Sequence, residues 1–225
     1  MCGRFVLHHD ITELQNDIEF TTDMDGINPN FNISPTRPIL AIIKCPHQSS
    51  IKLDVFQWGL VPSWAKDPTW SAKMINARSE TINEKPSFRT AYKRRRCLIP
   101  ASGYYEWKLE GNLKTPYYVH IRNKPPMFFA GLWEIWHDPN GSELYTCTIA
   151  TVTASQELSG LHNRMPVILK EPERKKWLET DEEKAATLLN YLVPYESGDM
   201  KFYRVSNAVN KASWNNPQAI EPMED

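Results

Sequence analysis

The sequence predicts an α+β fold: a single domain over residues 1–225, with a mainly antiparallel, curved, barrel-like β-sheet core and a few short flanking helices. Three observations carry this. Short apolar runs of strand length recur along the chain, including Pro38–Lys44, Phe128–Trp136 and Leu144–Thr153, with turn-forming residues between them. Clustered strands joined by short turns favour antiparallel, strongly curved sheets, and the helical signals are few and short. With 41% hydrophobic content, 225 residues can bury one large core, and no Gly/Ser-rich or charge-block linker divides them.

The elements follow in order. Asp10, with Glu13 three residues on, marks the capped start of a short helix. The acidic stretch from Asp23 to Asn30, with Gly26 and Pro29, ends it. Phe31-Asn32-Ile33-Ser34-Pro35-Thr36 leads into a buried strand over Pro38–Lys44. A second strand, Leu53–Leu60, runs into Trp58-Gly59-Leu60-Val61-Pro62-Ser63-Trp64, a rigid loop because Gly and Pro restrict it between two indoles. A helix is predicted from Pro86, with Phe88 and Tyr92 on one face and Arg89, Lys93, Arg94, Arg95 and Arg96 around the rest. Such charge runs are usually solvated faces. Strands are predicted over Cys97–Trp107, Tyr117–Arg122, Phe128–Trp136 and Leu144–Thr153, with turns at Asn123-Lys124-Pro125 and Asp138-Pro139-Asn140-Gly141. Helices over Glu171–Glu179, with Pro172 in the first turn, and Glu182–Tyr191 precede a final strand over Lys201–Val205.

Composition narrows the function. A net charge of −1 means that any nucleic-acid contact needs a local basic patch rather than a polycationic surface. No apolar run reaches transmembrane length, and the first apolar residues are followed at once by His8-His9-Asp10 rather than completing a signal peptide, so a soluble, cytoplasmic protein is expected. Cys2, Cys45, Cys97 and Cys147 are scattered without a CxxC pair, and neither a Gly-rich phosphate loop nor an HExxH motif is present. Free thiols, no metal and no cofactor are therefore expected. Eight Trp and nine Tyr supply stacking surface as well as core.

The chemistry gathers at the start of the chain. Removal of Met1 would leave Cys2 with a free α-amine and a thiol on adjacent carbons. The amine condenses with an aldehyde to an imine, the thiol closes on the imine carbon, and a thiazolidine results. An amine titrating near ~8 and a thiol near ~8.5 leave both nucleophiles partly available at neutral pH. An amine held in a Met1–Cys2 peptide bond cannot react this way. Glu106, flanked by aromatics in Gly103-Tyr104-Tyr105-Glu106-Trp107, and His162 are the acid/base candidates. Glu is disfavoured in strands, and an outward-facing position would account for it equally well. Cys, His and a carboxylate are also the components of thiol hydrolases, so an N-terminal-nucleophile peptidase or amidohydrolase is an alternative, as is a single-stranded DNA-binding module without chemistry.

Six motifs occur in one order: Met1-Cys2-Gly3-Arg4-Phe5, Asn32-Ile33-Ser34-Pro35, Trp58-Gly59-Leu60-Val61-Pro62, Ile75-Asn76-Ala77-Arg78-Ser79-Glu80, Gly103-Tyr104-Tyr105-Glu106-Trp107 and His162-Asn163-Arg164-Met165-Pro166. Together with Val205-Ser206 and Val209-Asn210 they resemble the SRAP family of SOS response-associated peptidases over nearly the whole chain. The resemblance implies covalent capture of abasic sites in single-stranded DNA as a thiazolidine crosslink that shields the lesion, with associated lyase and self-processing peptidase chemistry. It implies catalytic roles for Cys2 as nucleophile, for Glu106 and His162 in proton transfer, and for Asn76 in positioning the sugar and the cysteine. It implies DNA contacts by Arg4 and Arg78 to flanking phosphates and by Trp64 as a stacking wedge, to which Arg89 is added from the basic segment. The partner expected is single-stranded DNA containing abasic sites, bound by a monomer, with neither membrane nor metal. Asn163 stands where the family usually has Asp, so His162 is expected to be less basic than in relatives.

Overall fold

The computed structural model describes residues 2–45, 48, 50–123 and 125–223. Met1, and Lys124 of the predicted turn at Asn123-Lys124-Pro125, lie outside the described residues. Twelve strands are present among them: β1 Phe5–Leu7, β2 Asn30–Ile33, β3 Pro38–Lys44, β4 Ile51–Trp58, β5 Asn76–Arg78, β6 Arg96–Ala101, β7 Gly103–Glu110, β8 Leu113–Ile121, β9 Met127–His137, β10 Glu143–Thr153, β11 Arg164–Pro166 and β12 Met200–Arg204. The helices are α1 Ile11–Gln15, α2 Arg89–Arg94 and α3 Glu171–Glu179.

Five strands pair in the order β10-β4-β3-β6-β9, and β9 pairs again with β10, which closes them into a barrel. Closure removes the exposed edges that an open sheet must protect. β11 and β5 attach to β10. The second sheet has the order β12-β8-β7-β1-β2. Pairing is antiparallel as expected, except that β10 runs parallel to β4 and β5. One apolar core joins barrel and second sheet: Phe5 of β1 lies edge-on to Trp58 of β4 (5.2 Å) and Phe129 of β9 (6.1 Å). A smaller cluster of Val6, Tyr105, Tyr118, Val205, Val209 and Ala219 fills the other face of the second sheet, under the C-terminal segment.

The predicted strand Cys97–Trp107 is two strands. The chain leaves the barrel at buried Ser102, whose N–H donates to the Val6 carbonyl at 2.7 Å, and enters the second sheet at Gly103. Only glycine fits there, because a Cβ would lie 2.4 Å from the Tyr118 hydroxyl. The predicted strand Tyr117–Arg122 is the latter part of the longer β8, which a tight turn through Gly111, at φ +62, connects to β7. Residues Glu182–Tyr191 form a 3-10 helix. Its buried Ala185 and Leu188 are three apart, which suits three residues per turn. α1 carries the predicted reciprocal cap, Asp10 to the Glu13 N–H and Glu13 to the Asp10 N–H, both 2.8 Å.

Candidate active site

Four elements converge at the seam between barrel and second sheet. Cys2, just ahead of β1, is fully buried within the main core. Its neighbour β7 is registered by Phe5 opposite Tyr104 and by the Tyr105 N–H donating to the Arg4 carbonyl at 2.9 Å. Strand alternation then sorts the aromatic motif: Tyr105 faces the smaller cluster, while Tyr104 and Glu106 face Cys2. Glu106 is only 4% exposed, so the outward-facing reading of this carboxylate does not hold. From the barrel side, β5 sets Asn76 opposite Ile149, and the Asn76 amide donates to the Cys2 carbonyl at 2.8 Å. The Asn76 Oδ1 atom is buried and unpartnered. It is an unused acceptor on the side chain that binds the Cys2 carbonyl.

The charges of this cluster act on one another. Burial, reinforced by the Glu106 charge, pushes the Cys2 thiol far above the ordinary thiol range. Burial likewise raises Glu106, and His162 opposes that rise. Tyr104 is raised by burial, by Glu106 and by Cys2, which marks a fourth group on the same charges. The half-buried His162 ring receives the Arg164 N–H on Nδ1 at 3.0 Å. Nδ1 also lies 3.2 Å from the Arg164 carbonyl, so the Arg164 backbone presents both a donor and an acceptor to this nitrogen. The Asn163 side chain is exposed, and the Arg164 backbone lies against the His162 ring. Arg164 is itself clamped: its guanidinium bonds both Glu80 oxygens (2.5 and 3.1 Å) and the Thr151 carbonyl (2.6 Å). Glu80 is held below the usual carboxylate range, first by that hydrogen bond.

The predicted DNA-contacting residues are distributed around this cluster. The Arg4 guanidinium donates from Nη1 to Asn32 Oδ1 (2.7 Å) and the Val209 carbonyl (2.8 Å), and lies 5.8 Å above the Trp107 ring. Asn32 holds this arrangement, donating in turn to the carbonyls of Val209, Lys211 and Trp214. Arg78, at the end of β5, is exposed. Trp64 is 55% exposed and meets Trp70 edge-on at 5.5 Å. Arg89 is exposed at the first position of α2, and no contact among the described residues ties it to Cys2. Arg94, Arg95 and Arg96 of the basic run are held by groups elsewhere in the fold. Arg94 pairs with Glu182 (2.7 Å) and Arg95 with Glu134 (2.7 Å), while Arg96 is spent on the carbonyls of Tyr92, Lys93, Trp177 and Thr180.

Sequence reasoning did not single out Asn32, Tyr104, Glu80 or Arg164 as site residues. Each lay inside a quoted motif, and a strand register would have been needed to place them. No group of three or more His, Cys, Asp or Glu among the described residues is arranged to hold a metal ion. No helix among them is long and apolar enough to cross a membrane.

The family model described as SOS response associated peptidase (SRAP) matches residues 1–212. Abasic site processing protein YoqW of Bacillus subtilis (strain 168) is 42% identical over 225 residues, covering 98% of this chain and 99% of that protein. Abasic site processing protein HMCES of Xenopus tropicalis is 32% identical, covering 88% of this chain and 67% of that protein. Among solved structures, a protein from Bacteroides thetaiotaomicron superposes with a TM-score of 0.87 at 27% identity, covering 99% of this chain and all of that one.

Proposed function

We propose, from the premise that this chain belongs to the SRAP family, that it processes abasic sites in DNA by covalent capture on Cys2. The observation that carries the proposal is the convergence of a near-N-terminal cysteine with Asn76, Glu106 and His162 in one buried seam. With Met1 removed, the Cys2 amine adds to the aldehyde carbon of the ring-opened sugar to give a carbinolamine. Loss of water gives the imine. The thiol then adds to the imine carbon, its proton passing to the nitrogen, and the five-membered ring closes with water as the one product released.

The electrostatics set the order of these steps. Burial keeps the thiol protonated, so the amine attacks first. The cationic iminium that follows favours the thiolate and draws it on. Glu106, raised by burial, holds a proton at pH values where an ordinary carboxyl has lost it, and so can protonate the departing hydroxyl. His162 relays protons in the same steps, and Asn76 Oδ1 receives an N–H of the amine.

The proposal extends to single-stranded DNA as substrate and to action as a monomer in the cytoplasm. Arg4 and Arg78 meet phosphates beside the lesion, Trp64 stacks against a neighbouring base, and Arg89 makes a peripheral contact. The imine acidifies the adjacent sugar carbon, so a slow β-elimination belongs to the same reading; self-removal of Met1, a hydrolysis of the Met1–Cys2 peptide that consumes one water and must precede imine formation, is proposed beside it.

Denaturing electrophoresis with an oligonucleotide carrying one abasic site tests the core of this. A heat-stable shifted band is expected with the Met1-processed protein, and none with Cys2→Ala or a Met1-retaining form. Absence of the band when mass spectrometry shows a free Cys2 amine would overturn it in favour of a thiol hydrolase.

A further inference from the structure

β7, β8 and β12 lie side by side, and their registers put Glu106 opposite Tyr117 and Tyr117 opposite Arg204. Residues directly opposite one another in antiparallel strands stand on the same face, as do residues two apart. Phe202 therefore shares this face, and its ring meets Tyr117 edge-on at 6.0 Å. One sheet face thus runs outward from the buried Glu106 carboxyl to a half-buried Tyr117, then to Phe202, 42% exposed, and an exposed Arg204. Glu106 and Arg204 are separated by two strand spacings, about 10 Å. The opposite face of the same strands is closed: Tyr105, Tyr118 and Val205 are buried there, and the Tyr203 hydroxyl donates to the Ile220 carbonyl at 2.6 Å.

Three features of this strip point to one class of ligand. It is continuous with the capture site. It offers aromatic surface that the core does not cover, and its cation is unneutralised: Arg94, Arg95, Arg164 and Arg174 are all in ion pairs, whereas Arg204 is in none among the described residues. Aromatic side chains that stack a base beside a cation that meets its phosphate are how single strands are held without reading sequence. None of Tyr117, Phe202 and Arg204 takes part in the capture chemistry.

We propose that this face is a nucleotide subsite, in which the base next to the captured sugar stacks on Tyr117 and Phe202 and its phosphate meets Arg204. The subsite rests on the abasic-site reading for the choice of ligand and for its position beside Glu106. It accounts for how a lesion without a base is held while the chemistry proceeds, since the neighbouring nucleotide supplies the stacking that the lesion lacks.

The test is fluorescence anisotropy of a labelled, intact single-stranded oligonucleotide with Cys2→Ala protein, alone and combined with Phe202→Ala, Phe202→Tyr, Arg204→Glu or Lys201→Glu. Lys201 sits opposite His120 on the closed face of β12, so Lys201→Glu makes the same charge change where the strand would not pass. Phe202→Ala and Arg204→Glu are each expected to weaken binding about tenfold. Phe202→Tyr retains affinity, which separates lost stacking from lost folding. Arg204→Glu also lowers the slope of log affinity against log salt by about 0.7, and Lys201→Glu changes affinity less than twofold. Unaltered binding in Phe202→Ala and Arg204→Glu, or an equal loss in Lys201→Glu, overturns the subsite. The capture reading is judged separately by the covalent band of the processed wild type. A missing band with weakened anisotropy in the strip variants removes capture and keeps the subsite, and a normal band with unaltered anisotropy does the reverse.

Discussion

Burial of the Glu106 carboxyl raises its pKa, and linkage turns that direction into a stability prediction. A group whose folded pKa lies above its unfolded value contributes stability below the unfolded pKa and loses it as pH rises through the folded one. Glu106→Gln removes the ionisation while keeping the shape. At about pH 4 the variant and wild type are expected to melt together, and toward about pH 8 the variant should melt progressively higher. Capture should move the other way, falling about 10²–10⁴-fold, the usual worth of a positioned acid or base. Melting across pH, beside single-turnover crosslinking rates, checks both, and a stability gap independent of pH would show that Glu106 does not titrate against folding. This conflict between stability and use makes Glu106 legible in the sequence, since a carboxylate among aromatics on a strand is a local inconsistency that function explains. Tyr104 sends no such signal. Its place beside Glu106 and Cys2 follows from strand alternation and a register that composition cannot supply.

The elements differ in how much of their role the sequence carries. β3 has its predicted bounds because an apolar run flanked by polar residues fixes them locally, and α3 because Pro172 and the Lys170 N–H, donating to the Glu173 carboxylate at 2.9 Å, mark its start. The basic run reads as a surface feature, and its Arg94, Arg95 and Arg96 prove to be a brace. Its partners Glu134, Trp177 and Glu182 lie 39 to 88 residues away in sequence, so no local pattern announces them. The same holds for the clamp between the His162 segment and the element after β5. Glu80 grips Arg164, and the Arg164 backbone contacts the His162 ring at Nδ1, so Glu80 positions the histidine from 82 residues away. Glu80→Ala is expected to slow capture about tenfold. Because Glu80 works through His162, adding Glu80→Ala to His162→Ala should cost nothing more. Crosslinking rates of the two single variants and the double variant decide it, and additive losses would mean that Glu80 acts on the DNA or the fold directly.

At the scale of the whole molecule, the barrel and the second sheet form one body because their core is shared at the seam that holds Cys2. Phe5 contacts Trp58 and Phe129, and Tyr104 contacts Phe129 at 6.1 Å, so the strand that follows the reactive residue is packed into the barrel wall. Neither sheet can lose the seam without exposing large aromatic surface, at a cost of about 25 cal/mol per Å². Unfolding in urea should therefore be a single transition, with tryptophan fluorescence and far-ultraviolet circular dichroism superimposable. Phe5→Ala should lower stability by about 3–5 kcal/mol and still give coincident transitions, because what it weakens is common to both sheets. Loss of crosslinking across the same urea series should follow the spectroscopic curve, since the cluster of Cys2, Asn76, Glu106 and His162 exists only while barrel and sheet are joined. Two resolved transitions in Phe5→Ala, with the second sheet melting first while the barrel persists, would show instead that capture depends on the docking of two separable units.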